Sequence, residues 1–181
     1  MGAFNLVVQE AKAILTNELT WLNNVYGQVE KLKADRSGKK HFYPALPVSD
    51  RSEYDSLEPS ENLKNYCFFW SSEPEKSRNT RRGEEKTFVS NFNIIFWVDT
   101  RLNATSIESI RLEVVDVITN KFFMRAGSFK MHGMEVEPDR IFKDFSFGNF
   151  NKQMIVKPFA GIRVYGEMKT NPCFSGNFMT S

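Results

Sequence analysis

The stretch that most constrains this chain is 87–100, Thr-Phe-Val-Ser-Asn-Phe-Asn-Ile-Ile-Phe-Trp-Val-Asp-Thr. Its even positions are Phe88, Ser90, Phe92, Ile94, Phe96 and Val98, and its odd positions are Val89, Asn91, Asn93, Ile95, Trp97 and Asp99. Side chains alternate across a strand, so one face is nearly all apolar and the other is mixed. Aromatic and β-branched residues favour a pleated, half-buried surface. The stretch predicts a long central strand, with the rest of the chain covering its even face or extending its edges.

Two helices are predicted to do the covering. Phe4, Val8, Ala11, Leu15, Leu22, Val25, Val29 and Leu32 step by three and four, broken once at Glu18 with Leu19 beside it. That spacing predicts one amphipathic helix over 3–33, about 45 Å long, with Asn23, Asn24 and Gly27 as points of bending or interruption. Thr105 and Glu108 read as a capping box. The stripe after them, Ile107, Ile110, Val114, Val117, Ile118 and Phe122, predicts a second helix to about residue 123 on the same sheet face.

The remaining segments read as strands and connections. Two prolines in Tyr43-Pro44-Ala45-Leu46-Pro47 impose extended or turn structure. Residues 48–64 read as a polar surface loop with a short helix near Ser60 to Leu63. Tyr66-Cys67-Phe68-Phe69-Trp70 is expected to pair with the central strand. Between the two lies 71–86, too long and too charged for a tight turn, read as a projecting hairpin arm. Strands are expected over 129–137 and 159–168, with weaker pieces at 141–147 and 154–156. The tail over 170–181 is not core-like. The fold class is therefore α+β: one domain over 1–181, with an antiparallel sheet of four to six strands, two helices packed on one face and a long charged hairpin arm.

Charge and cysteine content limit the function classes. With 24 basic and 22 acidic residues, the balance does not call for nucleic acid or an anionic membrane. Cys67 and Cys173 are far apart and outside any Cys-x-x-Cys pair, so two thiols in a reducing compartment are expected. No N-terminal signal pattern and no apolar run of spanning length is read, so the chain is expected to be made and assembled in the cytosol, without a membrane.

Catalytic signatures are sparse. His41 and His132 lack metal-ligand spacing, and no nucleophile elbow, P-loop or dinucleotide fingerprint occurs. Pro138-Asp139 followed by Glu167-Met168-Lys169 matches the Pro-Asp and Glu-x-Lys pattern of restriction-endonuclease-like nucleases. There, two carboxylates hold Mg²⁺ and the lysine activates water, because hard oxygen ligands suit that ion and a bound metal acidifies its water. The motif is short and degenerate, and the plainer reading is that Asp139 is a turn residue after a strand and Glu167 a solvated strand-end residue. On the arm, Arg78, Arg81 and Arg82 stand among Glu73, Glu75, Glu84 and Glu85, which favours protein contacts over phosphate.

The order of elements resembles the tail-terminator and neck-ring proteins of tailed bacteriophages. That order is an N-terminal helix, Tyr43-Pro44-Ala45-Leu46-Pro47, a strand, a charged hairpin arm, a long strand, the helix from 106 to about 123 and closing strands. The resemblance is one of architecture, without a diagnostic motif. It implies a non-enzymatic virion protein that needs no cofactor, assembled in the host bacterial cytoplasm. It further implies homo-oligomeric rings, commonly six-fold or twelve-fold, that join other neck or tail proteins around a DNA channel. Arg78, Arg81 and Arg82, with the C-terminal tail, are then the expected inter-subunit contacts. The alternatives are a Mg²⁺-dependent nuclease using Asp139, Glu167 and Lys169, and a non-viral cytosolic adaptor.

Overall fold

A computed structural model describes residues 3–36, 38–48, 53–71, 76–79, 86–103, 105–146 and 157–170. The expected strand at 154–156, the tail beyond Thr170, Cys173, Arg81 and Arg82 lie outside the described residues.

The central strand is as expected. It is β7 (Lys86–Asp99), numbered in chain order after β1 (Asn24–Gln28), β2 (Glu30–Arg36), β3 (Lys39–Pro47), β4 (Tyr54–Ser56), β5 (Tyr66–Trp70) and β6 (Lys76–Asn79), and before β8 (Gly127–Glu135) and β9 (Phe159–Thr170). The main sheet runs β1-β5-β7-β9-β8, with β6 pairing the start of β7, and β2-β3-β4 form a second sheet. The fold is α+β. Every pair of the main sheet is antiparallel except β1 with β5, which is parallel.

The predicted 3–33 helix is corrected. Helix α1 covers Ala3–Glu18 only, and β1 and β2 follow. An i, i+4 pair such as Val25 and Val29 shares a face in a strand as well as in a helix, so spacing alone did not separate the two. The deciding residues are Asn23, Asn24 and Gly27, which weaken a helix, and the alternation Lys31, Leu32, Lys33, Ala34, Asp35, exposed at odd and half-buried at even positions. The expected strand at 141–147 is also corrected: Pro138–Ile141 form the short helix α3, with Pro138 in its first turn.

Helices α1 and α2 (Ile107–Asp116) both lie on the even face of β7. Val7, Val8, Ala11 and Leu15 of α1 and Ile110 and Val114 of α2 close on Phe92, Ile94, Phe96 and Val98, with Ile162, Val164 and Met168 of β9 beside them. The Ser106 hydroxyl caps α2 by accepting from the Ser109 N–H, so the cap is Ser106 and not Thr105. One π turn, Val117–Lys121, ends the helix. Lys121 Nζ reaches Glu18 Oε2 at 2.8 Å, joining the ends of the two helices. Cys67 is fully buried in this core, and burial holds its thiol well above the usual range.

The odd face is covered too, which the alternation did not indicate. Ile95 and Trp97 form a second core with Tyr66, Phe68, Ile141, Phe142, Phe145 and Phe159. Trp97 stacks on Phe159 at 5.0 Å between centroids. Gly161, opposite Trp97, makes room for α3: a Cβ there would stand 2.7 Å from Ile141 Cδ1. The Tyr66 hydroxyl donates to Leu57 O at 2.9 Å, and burial pushes its pKa well up.

Candidate assembly surfaces

Of the charged stretch 71–86, Lys76–Asn79 form β6 and Lys86 begins β7, while 72–75 and 80–85 lie outside the described residues. Strand β6 pairs antiparallel with 86–89 and lies in line with β5 along one side of β7. On the other side β9 pairs with β7 as far as Phe88, opposite Thr170. Arg78 is in β6, opposite Thr87; Arg81 and Arg82 are not among the described residues.

The structure does not bring the Asp139, Glu167 and Lys169 pattern together. Glu135 at the end of β8 pairs with Arg163, and Glu167 pairs with Lys130. Glu167 is four residues from Arg163 in one direction, about 13 Å along the strand. Asp139 follows Glu135 in the other direction, in α3, whose Ile141 packs over Gly161. Lys169 is exposed. Among the described residues, no group of three or more His, Cys, Asp or Glu side chains is placed to hold a metal ion.

What the odd face carries instead is a polar seam around Arg163, a residue within the strand expected over 159–168. Arg163 is only 3% exposed. Its Nε and Nη2 donate to Asn93 Oδ1 at 3.1 and 2.8 Å, and Nη1 donates to Ile141 O at 3.4 Å. Nη2 also lies 2.6 Å from Asp144 Oδ2. Lys143 Nζ reaches Glu135 Oε1 at 3.3 Å. A buried guanidinium needs such partners: Asn93 of β7 and Ile141 of α3 accept its hydrogen bonds, and Asp144, just past α3, supplies the opposite charge. The seam fastens 138–146 across the sheet, beside a concavity of about 220 Å³ bordered by Asn91, His132 and Tyr165. Its positive and negative groups are already matched, so its chemistry is that of a clamp.

A second polar junction, just before β5, ties the end of β7 to Trp21 ahead of β1 and to Asn103 ahead of α2. Asn65 Oδ1 accepts from the Asp99 N–H at 2.7 Å, while its Nδ2 donates to Trp21 O and to Asn103 Oδ1. Lys64, just before it, holds φ 54° and ψ −150°, a backbone region that favours glycine. The Arg101 guanidinium, hydrogen-bonded to Asp99, holds that carboxyl below the usual carboxylate range.

Two strands form the outer edges of the main sheet. Strand β8 presents Ser128, Lys130 and His132 exposed, and its register shifts between Met131 and Gly133. Charge and a bulge are the usual ways to blunt an edge against pairing. Strand β1, Asn-Val-Tyr-Gly-Gln, bears no charge. Beside it a groove of about 610 Å³ runs between α1 and β3, bordered by Asn5, Val8, Gln9, Gln28 and Leu46.

Comparison with known proteins adds no family: no protein-family model matches the chain, and no curated protein matches it.

Proposed function

We propose that this chain is a structural subunit that assembles with copies of itself into a ring, in the neck or at the tail end of a tailed phage, and that it is not an enzyme. The observation that carries the reading is the pair of outer edges: β1 and β8 are on opposite sides of one sheet, and among the described residues neither pairs further. A contact between unlike surfaces on opposite sides of a subunit repeats head to tail and closes into a ring when the rotation allows. The β6–β7 hairpin adds a third surface, carrying Arg78 at the same end of the sheet as Thr170. Its charges suit contacts with neighbouring subunits or with other neck and tail proteins, and leave only limited basic surface for DNA in a channel.

The test has two parts. Native mass spectrometry of the purified chain should give a closed oligomer, and replacing Arg78, Arg81 and Arg82 together by Ser should weaken it while the far-ultraviolet spectrum is unchanged. In source material, the protein should co-migrate with DNA-filled particles on a density gradient and resist a salt wash. A monomer at every concentration, or recovery only in the slow soluble fraction, overturns the reading.

A further inference from the structure

We infer that the groove along β1 is a docking site for an extended peptide, and that its occupant is the segment 171–181 of a second copy of this chain. The inference rests on the ring reading and names one contact within it.

The groove has the parts that strand addition needs. An edge strand offers main-chain donors and acceptors, and pockets for alternate side chains supply specificity. Among the described residues, no strand pairs with the outer edge of β1. Gly27 leaves the groove open: a Cβ built there meets only Leu46 Cδ1, at 4.0 Å. Val8 and Val29 are buried at the groove, and the Gln9 and Gln28 amides stand on it. Among the described residues that border it, Glu30 is the one charged side chain, and the rest are apolar or neutral hydrogen-bonding groups.

The chemistry of 171–181 matches. Asn-Pro-Cys-Phe-Ser-Gly-Asn-Phe-Met-Thr-Ser contains no charged side chain and carries Phe174, Phe178 and Met179. In extended form, Phe174 and Phe178 fall on one face, two apolar anchors with Ser175, Gly176 and Asn177 between them. The charged hairpin, by contrast, would bring lysines, arginines and glutamates to a neutral groove.

Reach decides between the same chain and a neighbour. Gln28 is level with Phe69, Ile94 and Val164 across the sheet. Thr170 is six residues farther along β9, about 20 Å, and three strand spacings to the side, about 14 Å. The direct separation is therefore about 24 Å. Phe174 is four residues beyond Thr170 and extends at most about 14 Å from it. Seating both phenylalanines along β1 requires a second copy.

The experiment uses the chain ending at Thr170, a fluorescent synthetic peptide of residues 171–181 under reducing conditions, and native mass spectrometry of full-length protein. The peptide should bind the shortened chain at micromolar concentration, and binding should weaken at least tenfold, about 1.4 kcal/mol, when Gly27→Trp fills the groove. The shortened chain should lose the oligomer that the full chain forms. Full-length G27W, checked for folding by circular dichroism, should lose it too, and this variant decides the matter if the shortened chain does not fold. No peptide binding, equal binding to the Gly27→Trp protein, or an unchanged oligomer in full-length G27W overturns the docking site while leaving the ring reading in place. A monomeric full-length chain whose shortened form binds peptide means the segment docks on its own copy, which overturns the second-copy contact and the ring together.

Discussion

The two faces of β7 are buried by different means. On the even face, α1 and α2 cover Phe92, Ile94, Phe96 and Val98 with aliphatic and aromatic side chains alone. On the odd face the cover changes along the strand. Trp97 and Ile95 are under an aromatic layer, while Asn93, two residues on, turns to Arg163 and the polar seam. A helix brings its own backbone hydrogen bonds and needs only an apolar stripe to dock. The segment 138–146 contributes a single helical turn; its N–H groups donate to the nearby carbonyls of Glu137, Arg140 and Phe142 and to Phe42 O, and Arg163 adds the polar attachment to the sheet. Burial holds the first face, and burial plus directed polar contacts hold the second.

Three perturbations would test that contrast. The largest effect is expected on the helix face: Phe96→Ala should cost about 3–5 kcal/mol in urea denaturation, because a fully buried ring leaves a cavity that neighbouring strands cannot close. On the odd face, Asp144→Ala should cost about 3 kcal/mol by leaving Arg163 short of a partner, while Arg163→Met combined with Asp144→Leu should be near neutral. If the double variant is as damaged as the single, the seam is not a replaceable clamp. The smallest effect is a pH response. Burial raises Cys67 on the helix face and Tyr66 on the odd face, so both are neutral in the fold. A raised folded pKa gives stability that is complete below the unfolded value and lost as pH rises toward the folded one. Denaturation midpoints should therefore begin to fall from about pH 8.5 through Cys67 and from about pH 10 through Tyr66. Cys67→Ala should abolish the first part of that decline and leave the second. A midpoint that declines identically in the variant would exclude the thiol as the cause.

Much of this architecture can be read from residues alone, and the failures have physical causes. Alternation in 87–100 marks β7 because a long strand repeats its signal, and the stripe from Ile107 to Phe122 marks α2 for the same reason. The stretch 24–36 was misassigned because Val25 and Val29 satisfy either period, and short strands offer few repeats to outvote it. At 138–146, Pro138 at a helix start and the pair Ile141 and Phe145, four apart, were overlooked in favour of an apolar run. The seam itself is not legible at all. Arg163 looks like any polar residue on a half-exposed strand until Asn93, Asp144 and Glu135, from three other parts of the chain, are placed around it. The same holds for the groove at β1, which requires α1 and β3 to be in position.

The parallel pairing of β1 with β5 has a consequence for how the molecule can change. Between those two neighbours, the chain leaves the main sheet, builds β2-β3-β4 and returns to the same edge. The small sheet is thus carried by a crossover that leaves β1 at Gln28 and re-enters β5 at Tyr66, at opposite ends of the two neighbouring strands. Its outer part, the turn joining β2 to β3 at Gly38, where φ is +73°, can be lengthened or replaced without shifting the register of the main sheet. Grafted loops at this turn would give the molecule new surface chemistry on an unchanged frame.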